Sequence, residues 1–188
     1  MEDILKEALR EDEQLLWSGR PEPFETLDKT HKKPFIKSTI LTAVVTVAIC
    51  LGYILYAGSR NADIKIGVPI VVAACGIFII LRGLMDASKL KKGVLYAITD
   101  KRLFVVMDSA RAVEYSSIHE ARFCTDEDGH TSLLCGDRGV KAKPHSCRAA
   151  VLTGVCTDSD TGLCESFAMY AIPDADKVKT ILKQYLPL

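Results

Sequence analysis

Between Lys37 and Arg60 the chain carries 22 consecutive uncharged residues, STILTAVVTVAICLGYILYAGS. At about 1.5 Å rise per residue this run makes roughly 33 Å of helix, enough to cross a hydrocarbon layer about 30 Å thick. Core helices of soluble proteins seldom run so far without a charge, because part of their surface normally meets water. A second run, IGVPIVVAACGIFIIL, fills the 16 positions between Lys65 and Arg82. Extended over 64–84 it also reaches membrane length, with Lys65 and Arg82 near its ends, where long side chains snorkel to the interface. Pro69 falls in the first turns of that helix, where its missing N–H costs little. The first run follows 37 residues of polar chain and is itself followed by another, which argues against a cleaved signal peptide. The expectation is an N-terminal segment over 1–37, a two-helix transmembrane hairpin over 38–85, and a folded domain over 93–188.

Charge is segregated in the same way. The whole chain balances 24 Lys and Arg against 24 Asp and Glu. A zero net charge argues against a general nucleic-acid binder, and 48% hydrophobic residues exclude a disordered chain. Residues 1–37 and 93–188 are each slightly acidic, whereas the apolar middle is basic at its edges. Lys29, Lys32, Lys33 and Lys37 precede the first run, and Arg82, Lys89, Lys91 and Lys92 close the second. The connection AGSRNADIK holds only Arg60 and Lys65, with Asp63 between them. By the positive-inside rule this pattern places both termini in the cytoplasm of a multi-pass cell-membrane protein. Neither run contains Asp, Glu or His, so neither offers a proton or ion pathway. Thr39, Thr42, Thr46, Cys50, Gly52, Cys75 and Gly76 are small or weakly polar and suit helix–helix contacts, within the hairpin or between copies.

In MEDILKEALRED the residues Ile4, Leu5, Ala8 and Leu9 make an apolar stripe at helical spacing. Leu15, Leu16 and Trp17 follow, then the breaker Ser18-Gly19-Arg20-Pro21. Trp17 is expected to pack on the folded domain, since an acidic helix is repelled by anionic headgroups. Beyond the membrane runs, 94–99 and 102–107 read as a tight hairpin turning at Asp100-Lys101. Further strands are expected over 112–118, 120–125, 130–136, 151–156 and 164–172, with a polar loop over 137–149 and turns at 126–129 and 158–162. A final helix begins at Pro173 or Asp174, with Val178, Ile181, Leu182 and Tyr185 on its apolar side. The fold class is α+β: a transmembrane hairpin plus a small β-barrel or sandwich capped by a C-terminal helix.

The stretch Leu95-Tyr96-Ala97-Ile98-Thr99-Asp100-Lys101-Arg102-Leu103 resembles the strand–turn–strand opening of the bacterial pleckstrin-homology-like (PH-like) domain family. Glu13-Gln14-Leu15-Leu16-Trp17-Ser18-Gly19-Arg20-Pro21 is similar to the segment that precedes that family's membrane hairpin, and Phe167 to Val178 resembles its last strand and helix. The resemblance implies a split, seven-strand barrel with a C-terminal helical cap, tethered to the membrane. A phosphoinositide pocket is not expected, because the turn at Thr99–Arg102 is too short to wrap a headgroup and Asp100 repels phosphate. Looser contact with anionic lipid falls to Lys89, Lys91, Lys92, Lys101 and Arg102, each juxtamembrane Lys contributing about 1 kcal/mol.

Seven cysteines invite a thiol or metal reading, but no CxxC occurs. Cys50 and Cys75 lie in the apolar runs, and the rest are expected to be reduced. Small core positions are the default for Cys124, Cys135, Cys156 and Cys164. The alternative is a metal or redox site assembled from Cys135, His145, Cys147, Cys156 and Cys164. No phosphate-cradling glycine loop, HExxH or GxSxG is present, so no enzyme and no cofactor is expected. The leading expectation is a non-enzymatic, membrane-anchored interaction or scaffolding module. It has the bilayer and a protein partner or its own copies as neighbours, and no nucleic acid. The acidic turn at 126–128 and the 137–149 loop are its candidate contact surfaces. Alternatives are a metal- or redox-sensing membrane protein and an anionic-lipid-contacting accessory protein.

Overall fold

A computed structural model describes residues 1–60 and 65–186. Asp63, expected in the connecting loop, lies outside the described residues. The chain forms two compact units, one of 1–30 with 86–188 and one of 31–85. The N-terminal segment is therefore not a separate piece: the same folded unit contains it and the 93–188 domain, and the apolar stretch is an insertion between them.

The inserted unit consists of parts of two helices, α2 (Lys29–Ser59) and α3 (Gly67–Gly93). Both are long and apolar enough to cross a membrane. Their apolar side chains are turned outward: Leu41, Val44, Leu55, Ile70 and Phe78 are all exposed. Because α3 starts at Gly67, Lys65 and Ile66 of the expected second span lie outside the helix, and Pro69 sits in the opening turn as anticipated. Within this unit Thr46 abuts Gly76, Phe35 approaches Gly83, and the Cys50 thiol points to Pro69 O at 3.9 Å.

The folded unit is built on two four-stranded antiparallel sheets. The first orders β1 (Leu15–Gly19), β2 (Leu95–Thr99), β3 (Arg102–Val106) and β4 (Ala110–Glu114). The hairpin at Asp100-Lys101 is present, with Ile98 opposite Leu103. Strand β1 was not expected. Leu15-Leu16-Trp17 is too short to show a period, and its partner β2 lies on the far side of the insertion. The first sheet is covered on both faces, which is why β2 and β3 read as unbroken apolar runs. One face places Tyr96, Ile98, Leu103, Val105 and Val113 in the main core beside Trp17. The other sets Leu95, Ala97, Phe104 and Val106 against helix α1 (Glu2–Ala8), whose Leu5 is buried there.

The second sheet orders β5 (Ala121–Thr125), β6 (Thr131–Cys135), β8 (Cys164–Met169) and the two-residue β7 (Cys156–Thr157). Its Leu134, Phe167 and Met169 join the same core cluster as the first sheet. Among the described residues there are thus eight strands, one more than the resemblance implies. The strand expected over 151–156 is a correction: residues 147–153 form helix α4 (Cys147–Thr153). Ala149, Ala150 and Leu152 favour helix over strand. Gly154 at φ +82° ends it, and Arg111 Nη1 donates to Leu152 O (3.2 Å) and Thr153 O (2.9 Å), satisfying its last carbonyls. The 112–118 strand also stops early, at Glu114, where Tyr115–Ser117 make one tight helical turn. Helix α5 (Ala175–Leu182) closes the core with Val178 and Leu182, and Tyr185 stacks on Tyr115 with ring centroids 5.0 Å apart.

Candidate interaction site

The segment from Arg20 to Asp28 has no regular secondary structure between β1 and α2. Pro21 and Pro23 break it up, and its one described backbone bond runs from Glu22 N to Ala171 O (2.7 Å), two residues past the end of β8. What holds it is Arg148, delivered by α4 and only 4% exposed. Arg148 Nη1 donates to Thr26 O (2.9 Å), and Nη2 donates to Glu25 O (3.0 Å), the Asp28 carboxylate and the Tyr170 hydroxyl (3.0 Å). Its guanidinium lies 4.3 Å from the Phe24 ring centroid and 4.9 Å from that of Tyr170, while Phe24 and Tyr170 meet edge-on. Lys91 adds a second cation beside Phe24, at 5.5 Å, and donates to Thr26 Oγ1 at 3.0 Å.

Tyr170 is fixed in turn by Tyr96, whose hydroxyl donates to Tyr170 O and accepts from Tyr170 N, both at 3.0 Å. Burial pushes the Tyr170 phenol up, against the opposing pull of Arg148, so it stays protonated and donates to Asp126 Oδ2 at 3.3 Å. Beside this cluster a cleft of about 400 Å³ is lined by Pro23, Phe24, Glu25, Asp28, Asp128 and His130. The cleft thus sets the Phe24 and His130 rings beside the carboxylates of Glu25, Asp28 and Asp128.

Asp28, Asp126 and Asp128 are the residues whose ligand atoms lie within 4.8 Å of one another among those described. Their oxygens already have work. Asp28 takes Arg148, and Asp126 Oδ1 accepts from Asp128 N (3.0 Å) and His130 N (2.9 Å). Asp128 Oδ2 accepts from Thr30 N and Thr30 Oγ1, both at 3.1 Å, so it serves the orphan N–H groups of the first turn of α2. Burial works to raise the Asp128 carboxyl, but the Thr30 and Lys29 donors hold it below the ordinary value.

The five expected metal or redox residues are not brought into a shared group. Cys135 and Cys164 are buried on β6 and β8, Cys147 is buried at the start of α4, Cys156 is half-buried on β7, and His145 is exposed. Burial pushes the Cys147 and Cys164 thiols up to about 11 and Cys135 higher still, opposing the thiolate that metal binding requires. Of the expected lipid-contacting residues, Lys89 and Lys92 are exposed near the end of α3, and Lys91 turns to Thr26 and Phe24. Lys101 pairs with Asp12, and Arg102 pairs with the buried Glu13. Sequence reasoning missed Phe24, Asp28, Arg148 and Tyr170, because a buried cation inside a polar stretch has no periodic signature. The one available signal was the contrast of an aromatic and an acid in PEPFETLD with a basic residue flanked by small ones in SCRAA.

Comparison with protein-family models, with curated proteins and with solved structures finds no match for this chain.

Proposed function

We propose that this protein is a multi-pass membrane protein with both termini in the cytoplasm, and that its folded unit is a PH-like, non-enzymatic interaction module. The single observation that carries this reading is the pair of long helices whose aliphatic side chains face outward, joined at both ends to one folded unit. Such a surface in water is costly at about 25 cal/mol per Å², and lipid removes that cost. The flanking lysines supply the orientation. The tight β2–β3 hairpin and the C-terminal helix α5 over the core support the PH-like reading. Lys89 and Lys92 are the groups left to meet anionic lipid, since Lys101 and Arg102 are engaged by Asp12 and Glu13.

The test is chemical crosslinking in intact membranes followed by identification of what is captured. A reproducible protein partner, or the chain's own copies, is the expected outcome. Recovery of the chain in the soluble fraction, monodisperse without detergent, overturns the membrane reading, and capture of neither partner nor self overturns the interaction module.

A further inference from the structure

We propose that residues 22–28 are a releasable strap, an internal ligand occupying a preformed site that selects an aromatic residue followed four positions later by a carboxylate. Phe24 supplies the aromatic and Asp28 the carboxylate. The receiving groups are Arg148, Tyr170 and Lys91, with Arg148 also reading the carbonyls of Glu25 and Thr26. The site belongs to the folded unit: Tyr96 sets Tyr170, and α4 sets Arg148.

Two features make the strap exchangeable. It is tied down by a single described backbone bond, Glu22 N to Ala171 O, and otherwise by side chains of Arg148, Lys91 and His130, so no ladder of backbone bonds has to be broken to free it. It is also an imperfect ligand, because Arg148 Nε is buried without a hydrogen-bond partner among the described residues. An incoming peptide whose carboxylate reaches both Nε and Nη2 satisfies that donor, as a side-on carboxylate–guanidinium pair does. The partner this site fits is therefore an extended segment of a protein bearing an aromatic and, four residues on, Asp or Glu. Because the strap leads directly into α2, whose first turn Asp128 caps, its exchange is felt at the start of that helix.

This specifies the partner chemistry of the interaction module proposed above, but its test does not depend on membrane orientation. A fluorescent peptide PEPFETLD is titrated into the full-length protein in detergent micelles. Binding to Asp28→Asn, whose own strap is weakened, is expected to be about tenfold tighter than to the unsubstituted chain, since the competent fraction of the site rises. Arg148→Lys added to that variant, or a peptide with Phe and the terminal Asp both replaced by Ala, is expected to abolish the gain. Equal affinity for the unsubstituted and Asp28→Asn proteins, or binding indifferent to Arg148, overturns the proposal. Should Asp28→Asn fail to fold, amide exchange of the unsubstituted protein decides. Excess peptide must speed exchange at Glu22, whose N–H is bonded to Ala171 O, and leave β2 and β3 unchanged, and no change at Glu22 overturns the strap.

Discussion

Arg102 and Glu13, 89 positions apart in the sequence, form a buried ion pair that fastens the N-terminal segment to the β2–β3 turn. Glu13 Oε1 accepts from Thr99 Oγ1 at 2.6 Å and from Arg102 Nε at 3.0 Å, and Oε2 accepts from Arg10 N at 3.2 Å. On the neighbouring turn residue, Asp100 Oδ1 accepts from Gln14 N (2.9 Å) and Asp100 N donates to Gln14 O (3.1 Å). The segments EQLLW and TDKRL, far apart in the sequence, are thus halves of a single contact.

A pH dependence follows from this pair. Burial works to raise the Glu13 carboxyl, but the Arg102, Thr99 and Arg10 donors outweigh it and hold the group at about 2 instead of 4.5. A depressed folded value means that the stabilisation is complete above the unfolded value and is lost as the pH falls from about 4.5 towards 2. Denaturant titrations of the micellar protein through that window are expected to show the loss, with Glu13→Gln flattening it. At neutral pH Glu13→Gln is expected to cost about 1.5–3 kcal/mol, the contribution of hydrogen bonds to a charged group, since the half-buried Arg102 left behind can still meet water. Parallel pH profiles for the two proteins contradict the assignment.

Tyr96→Phe removes the one oxygen that meets both Tyr170 N and Tyr170 O. The Tyr96 hydroxyl is the described partner of both Tyr170 N and Tyr170 O across the main core. Losing two buried hydrogen bonds at once is expected to cost about 1–3 kcal/mol, although the ring volume is unchanged. Thermal unfolding followed by near-ultraviolet circular dichroism measures this, and a neutral effect would show that the pair is replaceable by water.

What the sequence made legible was whatever repeats locally. Two apolar runs, the hairpin at Asp100-Lys101, the stripe of α1 and that of α5 all follow from spacing within a dozen residues. The pairing of β1 with β2 does not, because it closes across the whole insertion between Gly19 and Leu95. Val151 suggested a strand, but the decisive influence on α4 is Arg111, 41 positions from Leu152, which caps the helix end. Arg148 was invisible for the same reason: its partners at 25, 26, 28 and 170 are distant, and only the fold makes a lone Arg a hub.

Thiol reactivity should separate the cysteines by place. Cys135, Cys147 and Cys164 are buried with thiols pushed up, whereas Cys124 and Cys156 are half-buried. Moving a thiol from 9 to about 11 reduces its thiolate fraction about a hundredfold. In a Cys50→Ser, Cys75→Ser background at pH 8, maleimide is expected to modify Cys124 and Cys156 first, with the other three following only on unfolding. Mass spectrometry of timed digests reads the order, and early modification of Cys147 would show that α4 opens readily.

Gly76 is expected to be irreplaceable only while Thr46 faces it. A Cβ added at Gly76 stands 2.6 Å from Thr46 Oγ1, too close unless the stiff, β-branched Thr46 side chain turns or the helices part, but 3.5 Å from Thr46 Cβ, an ordinary contact. Gly76→Ala alone should therefore push α2 and α3 apart, at about 1–3 kcal/mol for an overpacked contact. Thr46→Ala removes the offending hydroxyl, so the double variant Thr46→Ala, Gly76→Ala should recover most of the loss, a strongly non-additive pair. Phe35 lies 3.7 Å from the Cβ position of Gly83, so cysteines introduced at 35 and 83 report the separation through oxidative crosslinking in the Cys50→Ser, Cys75→Ser background. Crosslinking should fall in the Gly76→Ala protein and return in the double variant. Equal yields in all three would mean that the two helices do not rest on each other at this point.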